Sequence, residues 1–333
     1  DYLKEDFEKN IKKMKAFYKS LKTAKINAGD FCLFDLVPHS FLKDFCKIKN
    51  QITDHVISTY EKPLNYDFML EVVKMVEDIK SQSVSFDKEA LRPFLSKQGV
   101  RNLWKRIGLF GSQIAYNPYG TVTGRLSVQP GSFPILNMAR EARVAILPKN
   151  DCFIELDFNA AELRVLLALS EKEQPDIDIH EWNAKNLFKQ DLSRDEIKKK
   201  TFSWLYNPKA VDKSLEMCYN KNHVLQKHFN GCEIETVFNR KIKSDDHHAL
   251  NYIIQSTTSD LFLKQAIKIW KLLKGKKSNV AFTIHDSLVI DFDLSDKKMV
   301  RGLVDEFSNT EFGNFKVNIS GGKNFGNMKE MKI

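Results

Sequence analysis

Two aspartates that close apolar, strand-like runs constrain this chain more than any other feature. Asp157 closes a run that begins at Cys152, and a helical pattern follows it over 159–170. Asp286 lies within 280–292, where the sequence predicts a strand, a tight turn and a second strand. A strand end and a hairpin tip can each hold a carboxylate at one edge of a sheet. Two carboxylates brought together there can bind a pair of divalent ions, although either one alone is more often a turn or cap residue.

A helix with a cationic stripe is predicted between the two aspartates. The stretch 194–206 opens with Ser193 and Glu196 at capping-box spacing. Positions four apart drift slowly around a helix, so one slanting stripe carries Arg194, Lys198, Phe202 and Tyr206. The cations suit a triphosphate, since the helix dipole also favours anions at that end, and the two rings suit stacking on a base and a sugar. The alternative is an ordinary amphipathic helix whose rings are buried and whose lysines face water.

Most of the remaining sequence has helical patterns. Residues 1–29 and 35–110 are predicted to be largely helical, and 248–273 to form a single long helix. The stretches 144–147 and 152–157 are predicted to be paired strands joined by the turn between them. The interpretation is an α/β (α+β) protein in which helices surround a central sheet that carries both aspartates.

The charge and the cysteine content narrow the class of protein. The net charge of +9 favours a polyanionic partner, although basic composition alone is weak evidence for one. Five widely separated cysteines without a CxxC pair support neither a zinc ribbon nor a disulfide framework, and they indicate a reducing compartment. The sequence contains no apolar run of about 18 residues and no signal peptide, so a membrane role is not expected.

The three strongest motifs of this chain resemble those of family A DNA polymerases, the group that includes bacterial DNA polymerase I, phage replicative polymerases and the mitochondrial enzyme. Residues 157–164 resemble motif A, D-[YF]-S-x-I-E-L-R, and residues 194–206 match motif B, R-x3-K-x3-F-x3-Y. Residues 284–286 match the start of motif C, V-H-D-E.

Further segments, in the order that the family has them, extend the resemblance over the C-terminal two thirds of the chain. Residues 121–127 resemble the T-x-T-G-R-L-S loop of the family, and Asn137 follows at the position of its P-N-L-x-N tail. Residues 178–180 resemble the D-[IL]-H segment ahead of motif B, and 319–326 resemble the closing palm segment. Residues 1–110 match only by position, as a helical thumb.

The resemblance implies a right-hand polymerase architecture with an antiparallel palm sheet, helical fingers and a helical thumb. The expected division is an N-terminal helical segment or palm edge at 1–35, the thumb at 36–115, the first part of the palm at 116–175, reduced fingers at 176–247 and the second part of the palm at 248–333.

The resemblance also implies an active site for nucleotide addition. Asp157 and Asp286, with the main-chain oxygen of Phe158, would hold two Mg²⁺ ions, for which Mn²⁺ can substitute. Lys198 would be catalytic as the proton donor to the leaving group. Glu162 would lie against the 2′ edge of the sugar and favour deoxynucleotides. The expected nucleotide-binding set is His180, Arg194, Lys198, Phe202, Tyr206 and Glu162.

Primer–template DNA and dNTPs are the partners that the resemblance implies. Arg125, Asn251 and Gln255 would read minor-groove acceptors that all four bases share. The expected DNA-binding set is Arg125, Thr123, Asn137, Asn251, Gln255 and His285. The protein is expected to be a monomer in the cytoplasm of a bacterial or phage-infected cell, with an organelle left open, and the sequence names no processivity factor, helicase or primase.

Three departures from the family pattern stand out. Ser287 replaces the usual glutamate of motif C, and Asn207 replaces the glycine after motif B. The segment between motif B and Asn251 is short, which indicates reduced fingers. With the Asn-Pro-Tyr-Gly stretch at 117–120, this leans toward a phage-type replicative enzyme.

Two other functions stay open from the sequence. A single-subunit RNA polymerase shares the paired aspartates and a Lys/Tyr helix, but Glu162 argues against it because that enzyme must admit a 2′-OH. A non-catalytic DNA-binding relative of a polymerase would explain Ser287 and Asn207 as signs of decay, but it would not explain why the charged motif residues are retained.

Overall fold

The computed structural model describes residues 3–26, 28, 31–188, 192–207 and 210–332. Residues 1, 2, 27 and 29 of the predicted N-terminal helical stretch lie outside this set, as do 189–191, 208 and 209 of the predicted fingers. The chain divides into two compact units, residues 1–63 and residues 64–333.

The first unit is helical, as its apolar spacing predicts. Its helices are α1 (Lys4–Thr23), α2 (Leu33–Leu36) and α3 (His39–Thr59). Phe17 on α1 packs against Phe41 on α3 with ring centroids 5.1 Å apart, and the ammonium of Lys49 lies over the ring of Phe7. Aromatic contacts therefore hold the two long helices of this unit together.

The second unit mixes helices with short and long strands. Its helices are α4 (Tyr66–Lys80), α5 (Gln98–Arg106), α6 (Ala161–Leu169), α7 (Ile179–Asn186), α8 (Arg194–Tyr206), α9 (Lys213–Tyr219), α10 (Lys221–His228), α11 (Ala249–Leu273) and α12 (Val300–Ser308). Its strands are β1 (Ser85–Phe86), β2 (Tyr116–Asn117), β3 (Ser127–Val128), β4 (Ile146–Leu147), β5 (Cys152–Phe158), β6 (Glu233–Glu235), β7 (Lys241–Lys243), β8 (Asn279–Ile284), β9 (Ser287–Phe292), β10 (Asn309–Thr310), β11 (Gly313–Asn314), β12 (Val317–Gly322) and β13 (Lys329–Glu330).

The core of this unit is a five-stranded antiparallel sheet in the order β13-β12-β5-β9-β8. All six residues of β9 are buried, because helices cover the sheet. Helices α4, α11 and α12 pack against it. Phe158 of β5 stacks on Phe307 of α12 with centroids 4.4 Å apart, and the indole of Trp270 on α11 donates to Asp78 on α4 at 2.6 Å.

The predicted hairpin of 144–147 with 152–157 is wrong. β4 pairs with β1, whereas β5 lies between β9 and β12. The intervening turn is tied to β9 instead, because the Asp291 carboxylate accepts hydrogen bonds from the main-chain amides of Lys149 at 2.8 Å and Asn150 at 2.9 Å. These bonds hold the turn before β5 against β9, the strand with which β5 pairs.

Several local predictions are confirmed. The helix over 194–206 has these bounds, and both halves of its Ser193/Glu196 capping box are present. The long helix runs over Ala249–Leu273, and 280–292 contains the predicted strand, turn and strand. The helix predicted over 159–170 begins later, at Ala161, because Ala160 has a left-handed backbone conformation. The largely helical stretch 35–110 also contains β1 and 3₁₀ segments.

Tyr116 fastens the outer edge of the sheet. Its hydroxyl donates to the main-chain oxygen of Thr283 on β8 at 2.6 Å and accepts from the amide of the same residue at 3.0 Å. Burial raises the pKa of Tyr116 to about 12, so the phenol keeps its proton and can make both bonds at neutral pH.

Within the described ranges, no helix is both long enough and apolar enough to cross a bilayer. The predicted lobe boundaries stay predictions.

Candidate active site

The two predicted metal-binding aspartates lie side by side at one end of the central sheet. Asp157 on β5 is the register partner of Ser287, the first residue of β9. The β8–β9 hairpin closes with Ile284 opposite Ser287, so His285 and Asp286 form a two-residue turn. His285 has a φ of +53°, as the first position of such tight hairpin turns requires. The hairpin therefore brings Asp286 next to the strand that carries Asp157.

The electrostatic environment of Asp157 opposes its own negative charge. Burial raises the pKa of this carboxyl to about 7, and the charges of Asp286 and Glu155 act in the same direction. A hydrogen bond from the Asn318 amide, at 3.3 Å, and the charge of Lys198 lower it. Two neighbouring carboxylates repel each other when both are ionised, and a bound cation would relieve this repulsion.

The donor chemistry of this end of the sheet fits Mg²⁺. Among the described residues no group of three or more His, Cys, Asp and Glu side chains is arranged to hold a metal ion. Mg²⁺ commonly binds through one or two carboxylates, with water and substrate phosphates completing its shell. Asp157 and Asp286, with a main-chain oxygen such as that of Phe158, offer hard oxygen donors of this kind.

The cationic half of α8 faces the same region. Arg194 and Lys198 are exposed, and the charge of Lys198 reaches the Asp157 carboxyl. The rings of Phe202 and Tyr206 stack almost parallel, with centroids 6.0 Å apart and an angle of 6° between planes. The predicted stripe is therefore a physical face, with cations at one end and aromatic rings at the other.

Asp178 ties the start of α8 to the rest of the site. Its carboxylate caps α7 by accepting from the amides of His180 and Glu181, and it accepts from Asn159 at 2.7 Å and from Arg194 at 2.6 Å. Burial opposes its ionisation, but the hydrogen bonds from Arg194 and Asn159 prevail and hold the pKa of Asp178 well below its usual range. Sequence analysis matched Asp178 to a motif without assigning it a role.

His180, which was predicted to bind the nucleotide, is buried. It is 2% exposed, and burial lowers its pKa to about 4, so the ring is neutral at pH 7. Its ring lies 5.9 Å from that of Phe202, and its buried Nδ1 has no hydrogen-bond partner within the described part of the chain. An unsatisfied buried nitrogen is costly, and a ligand that reached it would relieve this cost.

An open cavity of about 540 Å³ lies between α8 and the sheet. It brings Asp157 and Arg194 together. Most of its other lining residues carry no signal in the sequence, although alternation along β5 shows that Glu155 shares a face with Asp157. The lining consists of Glu155, Asp157, Asp178, Glu181, Arg194, Lys316, Asn318, Ile319, Ser320 and Glu330.

Glu162 joins two more predicted residues. Its carboxylate accepts from the Arg125 guanidinium at 2.5 Å and from the hydroxyl of Tyr206. Burial raises the pKa of Glu162, whereas the charge and hydrogen bond of Arg125 lower it. One carboxylate thus links the 121–127 loop to the aromatic end of α8.

The predicted DNA-binding residues are spread over several surfaces. His285 is exposed in the turn that carries Asp286, Arg125 is half-buried against Glu162, and Thr123 is only 8% exposed. Asn251 and Gln255 are half-buried on α11. Asn137 lines a different groove, of about 370 Å³, which it shares with Arg106 among others.

The 121–127 loop packs against Arg240, a residue for which the sequence predicted no role. Gly124 has a φ of +78°, and a Cβ there would lie 2.4 Å from Nη2 of Arg240. Arg240, in the β6–β7 hairpin, pairs with Asp260 on α11 through bonds of 2.6 and 2.9 Å. The Asp260 side chain is 1% exposed. The available signal was that Asp260 is the single acidic residue of the long helix predicted over 248–273.

Comparison with known proteins finds likeness in structure but not in sequence. No protein-family model matches the chain, and no curated protein matches it. Among solved structures, the chain is similar to the POL domain of Pol1 from M. smegmatis in complex with DNA primer-template and dNTP, with a TM-score of 0.57 and 15% sequence identity. The match covers 79% of this chain and 65% of that one. At this distance the likeness concerns the fold, and this chain has the fold of a polymerase domain.

Proposed function

We propose that this chain is a DNA-directed DNA polymerase of the family A type, which adds dNTPs to a primer 3′-OH and releases pyrophosphate. The observation that carries the proposal is the register of Asp157 opposite Ser287, which sets Asp286 beside it next to the cationic face of α8. The fold agrees, because the similar POL domain was solved with primer-template and dNTP.

In this proposal Asp157, Asp286 and the main-chain oxygen of Phe158 hold two Mg²⁺ ions, with Mn²⁺ as a substitute. When bound, these ions would lower the pKa of the primer 3′-OH and neutralise charge on the triphosphate and the leaving pyrophosphate. The chain contributes rigid placement, since β5 lies in the middle of the sheet and the hairpin turn has only two residues.

The cationic side chains of α8 bind the triphosphate. Arg194 exchanges its bond to Asp178 for phosphate oxygens, and Lys198 contacts the phosphates and protonates the leaving group. His180 joins them when the triphosphate meets its unsatisfied Nδ1. Phe202 and Tyr206 receive the sugar and the nascent base pair.

Glu162 supplies the preference for deoxynucleotides. Because its two oxygens accept from Arg125 and Tyr206, the carboxylate is held in place and cannot easily rotate away. A ribose 2′-OH would have to displace one of these donors or clash with the side chain. This supports a DNA polymerase over the RNA polymerase alternative.

The remaining features complete the proposal. Arg125, Asn251, Gln255 and His285 contact primer–template DNA, with Thr123 and Asn137 supporting that surface. The enzyme is of the phage type and acts as a monomer in the cytoplasm of a bacterial or phage-infected cell. Its thumb, palm and fingers follow the division predicted from the sequence.

Primer extension tests the proposal. Purified protein with a primer–template, dNTPs and Mg²⁺ is expected to lengthen the primer, and Asp157→Asn and Asp286→Asn are expected to reduce the rate at least ~1000-fold. Asp305→Asn, an exposed aspartate on α12, is the matched control and should keep the wild-type rate. No extension by the wild type, or equal extension by all variants, contradicts the proposal. Faster extension with rNTPs favours an RNA polymerase, and DNA binding without any extension favours a non-catalytic relative.

A further inference from the structure

Ser287 stands where the family pattern has a glutamate. A carboxylate from the neighbouring strand contacts its side chain. The Ser287 hydroxyl donates to Oε1 of Glu155 at 2.8 Å. The other oxygen of Glu155 accepts from the Ser320 hydroxyl on β12 at 3.0 Å. Both oxygens are therefore fixed by hydrogen bonds, one to each strand that flanks β5.

Glu155 faces the same cavity as Asp157. Residues two apart on a strand point to the same side of the sheet, and both carboxylates line the 540 Å³ cavity. Ser287 is the register partner of Asp157, so Glu155 reaches diagonally across the strand pair to it. A glutamate at 287 would extend past the serine hydroxyl into the space that the Glu155 carboxylate occupies.

A purely structural task would not require a carboxylate at position 155. Glu155 is half-buried, the like charge of Asp157 acts on it, and the contacts between described residues show no cation paired with it. A glutamine would still bond both hydroxyls, accepting from one and donating to the other, without the repulsion. The charge is explained when cations bind next to it.

We propose that Glu155 is a positioning residue of the metal site and supplies, from β5, the acidic group that Ser287 does not supply from β9. The inference rests on the proposed function. Glu155 acts through its charge and through Ser287, which adjoins Asp286, rather than as a third direct ligand, in keeping with the absence of a three-carboxylate group among the described residues. Partners of this kind around metal ligands affect metal affinity strongly.

Mn²⁺ binding to the protein without DNA or nucleotide tests the inference independently of polymerisation. The free Mn²⁺ signal in electron paramagnetic resonance gives the dissociation constant. Glu155→Gln keeps hydrogen-bonding groups toward both serines but removes the charge, and it is expected to bind Mn²⁺ about 10-fold more weakly. Asp305→Asn removes the charge of an exposed carboxylate on α12, outside this cavity, and should bind like the wild type.

A double variant that moves the carboxylate from β5 to β9 tests whether Mn²⁺ affinity depends on the position of this charge or only on the number of charges. Glu155→Ser combined with Ser287→Glu moves the carboxylate to β9, and it is expected to restore the Mn²⁺ affinity to within about threefold of wild type. Far-UV circular dichroism and the unfolding temperature show whether each variant is folded. If the double variant does not fold, the Mn²⁺ affinity of Glu155→Gln alone decides the test.

The outcomes distinguish the inference from the function on which it rests. Wild-type Mn²⁺ affinity in Glu155→Gln, together with normal primer extension, overturns the inference and leaves the polymerase proposal standing. Weaker Mn²⁺ binding in Glu155→Gln, in a protein that extends no primer, supports the role of Glu155 at a metal site and overturns the proposed reaction. If Glu155→Gln lowers the unfolding temperature but leaves the Mn²⁺ affinity unchanged, Glu155 only stabilises the contact between the strands.

Discussion

The guanidinium of Arg194 donates to the carboxylate of Asp178 at 2.6 Å, so the cation predicted to bind a triphosphate already has an anionic partner. Arg194 is about half exposed, whereas Asp178 is largely covered and also caps α7. A phosphate must therefore compete with Asp178 for this guanidinium.

Asp178→Asn is expected to strengthen nucleotide binding. Asparagine caps a helix as well as aspartate does, so α7 should keep its start, but the competing charge is removed. We expect the KM for dNTP in single-nucleotide incorporation to fall about threefold, while Arg194→Ala raises it more than about tenfold. If Asp178→Asn raises KM as Arg194→Ala does, Asp178 holds Arg194 in place rather than competing for it.

Asp157→Asn is expected to stabilise the protein at pH 8. Folding raises the pKa of this carboxyl from 3.8 to about 7, so the folded state holds a proton between these pH values that the unfolded state has released. Stability therefore falls as the pH rises through this window. The variant should gain on the order of 2 kcal/mol at pH 8 and close to nothing at pH 4, as measured by urea unfolding.

The same measurement has an internal check. Mg²⁺ at pH 8 should stabilise the wild type, because a ligand that binds only the folded state adds to its stability, but it should stabilise Asp157→Asn much less. Asp305→Asn should follow the wild type in both respects. If the unfolding free energies of all three proteins depend on pH in the same way, the pKa of Asp157 is not raised by folding.

Glu162→Ala is expected to admit ribonucleotides. Removing the carboxylate opens the space beside the sugar and leaves Arg125 and Tyr206 without their shared acceptor. The ratio of kcat/KM for dNTP over rNTP should fall at least about tenfold. Glu173→Ala, an exposed residue just beyond α6, is the control and should leave the ratio unchanged.

Gly124→Ala is expected to disturb the 121–127 loop. A Cβ at this position meets Arg240 and a left-handed φ, so the change should cost about 2 kcal/mol of unfolding free energy and weaken primer–template binding. Gly302→Ala on α12 meets nothing within 4 Å and should be neutral or slightly stabilising. Thermal unfolding and fluorescence anisotropy with labelled DNA measure both effects, and similar results for the two variants would show that the loop tolerates displacement.

Phe202→Tyr is expected to improve the use of dideoxynucleotides. In the proposed polymerase, a phenylalanine at 202 offers no hydroxyl to replace the missing 3′-OH of a dideoxynucleotide, so the wild type should terminate poorly. The variant should raise the ddNTP to dNTP incorporation ratio by at least about tenfold in a termination ladder. Efficient termination by the wild type, with no gain in the variant, would exclude this reading of Phe202.

Local patterns predicted well what is local in the structure. The bounds of α8 followed from its capping box and from the spacing of its stripe, and the β8–β9 hairpin followed from two apolar runs around a short turn. The sequence marks each of Asp157 and Asp286 at the end of an element, but the two come together because β5 pairs with β9.

The parts that sequence analysis missed depend on contacts between distant segments. The turn before β5 is bonded to Asp291 on β9, about 140 positions further along the chain. Glu155 meets Ser287 and Ser320 only after three strands are aligned. Arg240 meets Asp260 and Gly124 only once a hairpin has folded back on a helix and a loop. Pattern within one segment carries no information on such pairings.

The phenol of Tyr116 has a consequence for how copies of this protein behave toward one another. β8 is the last strand on its side of the sheet, and Tyr116 occupies both main-chain groups of Thr283 that would otherwise point outward. An uncovered row of such groups invites an extended segment from another molecule to pair with it and begin aggregation. At Thr283, two residues from the turn that presents Asp286, the phenol of Tyr116 thus leaves a strand of another molecule neither main-chain group to pair with.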